Sequence, residues 1–253
     1  MIHFFEKGQG KPVVLMHGFC ETGKMWLPFA EFLSSDFRVF CPDLPGFGES
    51  PIASDRITLE EVAVQLEEWM EDNQIHNPIV IGHSLGGYVA LALLELMGSR
   101  IQAIGLFHST AFADDEEKKE MRNRTVTFLK KNGVEKFVSS FVPPLFPENR
   151  REELASEIQV AIDDAKRSSL EGLIAFTRAM RDRKDRLDML KNYPGPKLLI
   201  AGTEDGAVKI ESSRKQKDAF TQYIELQGVG HMGMIEAKEK TLEVIRDFCL
   251  FSN

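Results

Sequence analysis

The sequence predicts an α/β protein: a doubly wound, mostly parallel sheet flanked by helices, with one helical insertion. Three observations carry this. Short apolar runs rich in β-branched residues recur along the chain, helical patterns alternate with them, and one long stretch, 111–193, holds helical patterns and no strand pattern. Strand–helix alternation is the signature of βαβ units and a parallel sheet.

The strand runs are PVVLMHG (12–18), RVFCPD (38–43), PIVIGH (78–83), IQAIGLFHS (101–109), PKLLIAGT (196–203) and QYIELQG (222–228). Most are continuously apolar rather than alternating, as expected of strands covered on both faces. Among the helices, Thr58 is the candidate N-cap of TLEEVAVQLEEWMEDN, with Glu61 three residues on, a capping box. LGGYVALALLELM is apolar nearly all round and should be buried on most sides. MIEAKEKTLEVIRDFCLF reads as one closing helix, with Ile235, Leu242, Ile245 and Phe248 on a stripe. Inside 111–193, VPPLFPENRRE (142–152) is a proline-punctuated break between helices. The charge runs DDEEKKE and RAMRDRKDRLD read as solvated helix faces.

Composition narrows the function classes. A formal charge of −8, from 31 Lys+Arg against 39 Asp+Glu, argues against a nucleic-acid partner, which needs a basic footprint. The N-terminal MIHFFEKGQGK lacks a secretion-signal pattern, and YVALALLELM is too short to span a bilayer, so no membrane association is expected. Cys20, Cys41 and Cys249 have no metal-like spacing and suggest reduced, buried thiols and a cytoplasmic home.

The chemistry centres on Ile79–Ala92, IVIGHSLGGYVALA, where a serine stands between glycines at the junction of a strand and a helix. Gly82-His83-Ser84-Leu85-Gly86 fits G-x-S-x-G, and its strand-turn-helix context is what a nucleophile elbow requires. A turn this sharp crowds the residues two before and two after the serine, and glycine at 82 and 86 removes both Cβ atoms. The alternative is a glycine-rich turn with no covalent chemistry. Serine needs a base, and the base needs an orienting acid. His231, in QGVGHMGMIE after the last strand run, has the position for the base. Asp205, in LLIAGTEDGAV, is the choice for the acid over Glu204, with Asp114 and Asp115 as rivals on the preceding strand end.

Taken together, HGF (17–19), DLPGFGES (43–50), GHSLGG (82–87), GTED (202–205) and GVGHM (228–232) resemble the α/β-hydrolase superfamily over essentially the whole chain. The resemblance implies an α/β-hydrolase core formed by 1–110 and 194–253 and a helical cap, or lid, over 111–193. It also implies an oxyanion hole from the backbone N–H groups of Phe19 and Leu85, and a supporting rather than basic role for His17. Ser84 at the elbow disfavours members that use Asp or Cys there. Trp26, Phe112 and Phe141 are candidates for an apolar substrate pocket beneath the cap.

The expected function is a Ser-His-Asp hydrolase cleaving a small to medium, largely apolar carboxylic ester or thioester. The alternatives are a C–C bond hydrolase of the meta-cleavage-product type, for which Arg178 is a candidate anion contact, and a non-catalytic ligand receptor on the same fold. A small-molecule substrate is the only partner implied; neither metal nor organic cofactor is called for, and oligomeric state is not readable.

Overall fold

The six apolar runs form adjacent strands in the computed structural model, which describes residues 1–253 except Ala53 and Asn253. In chain order the elements are β1 (Phe4–Lys7), β2 (Lys11–Met16), α1 (Leu27–Leu33), β3 (Phe37–Pro42), α2 (Leu59–Asp72), β4 (Ile79–His83), α3 (Leu85–Met97) and β5 (Ala103–Phe107). There follow α4 (Glu116–Phe141), α5 (Ala155–Ala165), α6 (Leu170–Asp182), α7 (Leu187–Asn192), β6 (Lys197–Gly202), α8 (Ile210–Gln216), β7 (Gln222–Leu226), α9 (Gly233–Glu236) and α10 (Lys238–Phe251). The seven strands lie in the order β1-β3-β2-β4-β5-β6-β7, all neighbours parallel except β1 with β3.

This order decides where the helices go. From β2 the chain steps outward to β3 through α1, then back past β2 to β4 through α2. Right-handed crossovers in opposite directions put α1 and α2 on opposite faces. Accordingly α2 packs on α3, and α10 returns to touch α1. β2 and β4 flank the point where the winding reverses, so the loops at their C-terminal ends open into the crevice where ligands bind in sheets of this kind. The covered strands are buried throughout: β4, β5 and β6 have no exposed residue.

The capping box forms as the spacing predicts. Glu61 N–H donates to Thr58 Oγ1 at 3.1 Å, and Thr58 N–H donates to the Glu61 carboxylate at 2.8 Å. Eleven of the thirteen residues of α3 are buried, in keeping with its apolar circumference, and it ends at Gly98 with φ +57°. Two elements depart from the sequence reading. β1 has no counterpart among the predicted strands: it is a four-residue, half-exposed edge strand whose register comes from β3, Phe4 opposite Pro42 to Lys7 opposite Val39. The closing helix is two helices, broken at Ala237 (φ −141°, ψ 48°), which turns Gly233–Glu236 towards the preceding loop.

Residues 111–193, between β5 and β6, carry α4 to α7 and no strand among the described residues. Gly133, at φ 77°, kinks α4, and the proline-rich break predicted at 142–152 holds two short 3₁₀ turns, Pro143–Leu145 and Glu148–Arg150. Cys20, Cys41 and Cys249 are free and buried, and burial pushes the thiols of Cys41 and Cys249 up to about 12. No helix among the described residues is long and apolar enough to cross a membrane.

Because Thr58 is exposed and acts only as a cap, Thr58→Ala should lower unfolding stability by about 1 kcal/mol. Denaturant unfolding checks this: a lower midpoint with an unchanged slope is expected.

Candidate active site

β4 passes into α3 through a single residue. Ser84 has φ 50° and ψ −114°, a backbone state that non-glycine residues seldom adopt. Three hydrogen bonds hold it there. Ser84 N–H donates to Phe107 O at 2.9 Å, Gly87 N–H donates to Ser84 O at 3.0 Å, and Ser109 Oγ donates to Ser84 O at 2.8 Å. The flanking glycines are required by contact. A Cβ on Gly82 would lie 2.2 Å from Gly86 C and O, and a Cβ on Gly86 would lie 2.4 Å from Met16 O. Ser84 is half-buried, at the C-terminal edge of the sheet.

Behind the elbow lies a buried histidine–carboxylate cluster. His231, in the loop after β7, faces Asp205, in the loop after β6, with Nδ1 2.8 Å from Asp205 Oδ2. Asp205 Oδ1 accepts the N–H groups of Ala207 and Val208, both at 2.8 Å, which fixes the carboxylate's orientation. Burial alone would raise the Asp205 pKa, but His231 and His108 hold it well below the usual carboxylate range. Burial opposes charge on His231; the Asp205 carboxylate, with Glu21 and Glu236 further off, outweighs it and raises the imidazole above its ordinary value.

Two further carboxylates brace this cluster, and neither was among the residues singled out from sequence. Glu21 accepts from Gly18 N–H and lies 2.9 Å from His83 Nδ1, while His83 Nε2 donates to His231 O at 3.0 Å. A carbonyl only accepts, so Nε2 carries a proton and a second proton lies between Nδ1 and Glu21. The ring next to the elbow serine thus ties the loop after β2 to the backbone of His231. Gly18 makes room for this pair: a Cβ there would meet Glu21 Oε2 at 2.6 Å and His83 Nδ1 at 2.7 Å. Glu236, in α9, accepts from Gly230 N–H at 2.9 Å and Met232 N–H at 3.1 Å, gripping both neighbours of His231. His231 N–H itself donates to Leu145 O at 2.8 Å, and Arg150 Nη1 donates to Glu236 O at 3.3 Å. The H-S pair and the G-H-M loop are visible in the sequence, but the glutamates reach them only through the fold.

The other candidates separate clearly. Glu204 is exposed. Asp114 lies 2.8 Å from Arg183, and Asp115 caps α4 by accepting from Lys118 N–H. His17 donates from Nδ1 to Gly18 O (2.8 Å) and accepts Leu44 N–H at Nε2 (2.9 Å), so both ring nitrogens are spent on loop structure. Arg178 pairs with Asp55 at 2.7 Å. Of the three pocket candidates, Trp26 is displaced from that expectation. It has no exposed surface: closing the 3₁₀ turn Gly23–Trp26, it packs edge-on to Phe29 (5.0 Å between centroids) and against Phe107. Phe112 is half-buried beside Arg183, which donates to its carbonyl. Phe141 is half-buried, stacked on Phe137 at 5.1 Å and edge-on to Phe19 at 5.7 Å. Leu85 opens α3, and Phe19 follows Gly18 in the loop after β2.

His108, Asp205 and His231 form the one group of metal-ligand type among the described residues, their donor atoms within 4.8 Å of one another. Both rings face the same carboxylate oxygen at hydrogen-bonding distance, an arrangement that two N–H donors account for in full.

The family described as "Alpha/beta hydrolase family" matches residues 13–244. Among curated proteins, the chain is 27% identical over 245 residues to the dihydrolipoyllysine-residue acetyltransferase component of an acetoin cleaving system from Pseudomonas putida. That match covers 95% of this chain but 64% of the relative, so the chain spans just under two thirds of that protein's length. It is 24% identical over 256 residues to a pimeloyl-[acyl-carrier protein] methyl ester esterase of Vibrio parahaemolyticus, covering 98% of this chain and 97% of that one. Among solved structures, a thermophilic esterase from Thermogutta terrifontis superposes with a TM-score of 0.93 at 28% identity, over 99% of this chain and 93% of that one.

If contact is what requires glycine at 82, Gly82→Ala should destabilise the protein by about 3 kcal/mol or more, as overpacking against backbone does. Gly98→Ala supplies the contrast. Its added Cβ meets nothing within 4 Å, and only the left-handed φ opposes it, at about 1–2 kcal/mol. Thermal or denaturant unfolding of the two variants side by side checks the ranking.

Proposed function

Because the chain belongs to the alpha/beta hydrolase family, we propose that it is a serine hydrolase that cleaves a small to medium, largely apolar carboxylic ester or thioester through an acyl-enzyme. The observation that carries this reading is the buried 2.8 Å Asp205–His231 pair, tied through the His231 carbonyl to His83, which directly precedes a strained, half-buried serine. Ser84 is the nucleophile and His231 the base that takes its proton. Asp205 holds the imidazole in the tautomer with Nδ1–H, leaving Nε2 free for the serine. In support, the ring of His83, the residue directly before Ser84, lies 4.9 Å from that of His231.

The tetrahedral oxyanion is held by the N–H groups of Leu85 and Phe19. Leu85 is the first residue of α3, so its N–H is one of those a helix leaves without an intrahelical acceptor, at the positive end of the dipole. Gly18, directly before Phe19, is held through its own N–H by Glu21, which keeps the loop from drifting. Preorganised donors of this kind contribute about 3–4 kcal/mol each. Residues 111–193 act as a cap over this site. Phe137 and Phe141 of α4 pack edge-on against Phe19, which puts apolar surface where an acyl chain would lie. The esterase among the solved structures and the methyl ester esterase among the relatives support an ester bond as the one cleaved.

Hydrolysis of p-nitrophenyl esters of graded chain length, with fluorophosphonate labelling, tests the assignment. Ser84→Ala should abolish labelling and lower turnover by at least about a thousandfold. Equal turnover in the two proteins overturns the reading.

The pH profile follows from His231. The base must be neutral to accept the serine proton, and its pKa is raised, so activity is lost as pH falls through a value above 6.5. The acidic limb of kcat/KM, which reports the free enzyme, should therefore have its midpoint above 6.5.

A further inference from the structure

A second imidazole shares the carboxylate. His108, immediately after β5, has Nδ1 3.0 Å from Asp205 Oδ2, the same oxygen that His231 Nδ1 faces at 2.8 Å. We propose that His108 is a positioning residue: its Nδ1–H anchors Asp205 Oδ2 and takes a share of that oxygen, so the carboxylate grips the His231 imidazolium less tightly than an unshared one would. The proposal rests on the hydrolase reading above and deepens it.

Four observations support it. The ring is fully enclosed, and its other nitrogen, Nε2, is buried without a partner, a cost that a leucine of similar volume would not carry. His108 also sits at φ 49°, a strained state for a side chain of this size, held by His108 N–H donating to Ile200 O at 2.8 Å. Two glycines make space for the ring: a Cβ on Gly233 would lie 2.3 Å from Nε2, and one on Gly202 would lie 2.9 Å from Cε1. Finally, the tautomer is fixed. Asp205 Oδ2 accepts, so His108 carries its proton on Nδ1, and burial keeps the ring neutral by pushing its pKa down to about 4. An orphaned nitrogen, a strained backbone and two excluded side chains are offset by one contact, and that contact is with Asp205.

The sign of the effect follows. Each donor on a carboxylate oxygen draws electron density from it and weakens it as an acceptor for the next. His231 is faced by Asp205, by the His83 and His108 rings at 4.9 and 5.8 Å, by Glu21 from the loop after β2 and by Glu236 from α9. The carboxylates all favour the imidazolium. His108 is the group that tempers the nearest of them, and so keeps more of His231 in the neutral form that a base requires.

The test is histidine ¹⁵N NMR on the full chain without substrate, so that it reads the rings and not the reaction. In the unaltered protein, His108 should show a protonated Nδ1 and a bare Nε2 and stay neutral through the titration of His231. An Nε2–H tautomer, or a ring that titrates together with His231, overturns the proposal. In His108→Leu, the His231 midpoint should rise by roughly half a unit to one unit, a three- to tenfold change in its protonation equilibrium. The acidic limb of kcat/KM should move with it. His108→Asn tolerates the left-handed backbone and offers an amide N–H in place of Nδ1–H, so it should keep the midpoint near that of the unaltered protein. An unmoved midpoint in His108→Leu, or an equal shift in His108→Asn, overturns it. If His108→Leu does not fold, the tautomer and the His108→Asn titration still decide. Failure of the hydrolase reading appears separately, as Ser84→Ala retaining turnover.

Discussion

The contact between Gly82 and Gly86 is the constraint on which the rest depends. Backbone meets backbone there at a separation that excludes even a methyl group, and this close approach leaves a single residue, Ser84, between the end of β4 and the start of α3. A wider turn would lengthen the connection, relax Ser84 and move its hydroxyl away from the sheet edge. Strain at a single residue persists only where its surroundings over-determine it. Here the surroundings are β5, through Phe107 O and Ser109 Oγ, and the end of β2, through Met16 O against Gly86. Three adjacent parallel strands thus share the task of holding one serine in an unfavourable conformation.

Polar groups buried this deeply are tolerable only when paired. Apart from His108 Nε2, the site meets that requirement with two carboxylate–imidazole systems joined at His231. Asp205 serves the ring, and Glu21, through His83, serves the backbone carbonyl. Glu236 completes the bracket from the other side, and burial raises its pKa even though two backbone N–H groups favour its charge. His231 is therefore held by its side chain, its carbonyl, its own N–H and the N–H groups of both neighbours. In the role proposed for it, a base that presents one nitrogen to one hydroxyl, an imidazole held this way has little rotational freedom to lose on reaching the transition state.

The sheet and the elbow were legible because they rest on local signals: apolar continuity for buried strands, glycine spacing for the turn, and Thr58 with Glu61 for a helix start. β1 escaped because an edge strand of four residues draws its order from β3 rather than from its own pattern. The closing helix reads as continuous in the sequence because a break at Ala237 leaves the apolar stripe intact on either side. Trp26 illustrates a different limit. An aromatic residue near the elbow's partner loop has the composition of a pocket wall, but whether it faces in or out depends on a 3₁₀ turn no periodicity announces. His108, Glu21 and Glu236 were illegible for a related reason. Each acquires its meaning from a partner 97, 62 or 6 residues away, and single ionisable residues at strand ends are ordinary in any sequence.

The helices inserted between β5 and β6 belong to the same argument. The loop bearing His231 is hydrogen-bonded to the break between two of them. Leu145 O accepts from His231 N–H, Leu145 O and Pro147 fill the space that a side chain on Gly230 would need, and Arg150 reaches the carbonyl of Glu236. The segment 143–150 that makes these contacts is the proline-rich break between α4 and α5, a part of the insertion stiffened by residues with fixed φ. Moving the inserted helices as a body would therefore break the contacts of 143–150 with the His231 loop, whereas the kink in α4, at Gly133 with φ 77°, lies outside that segment.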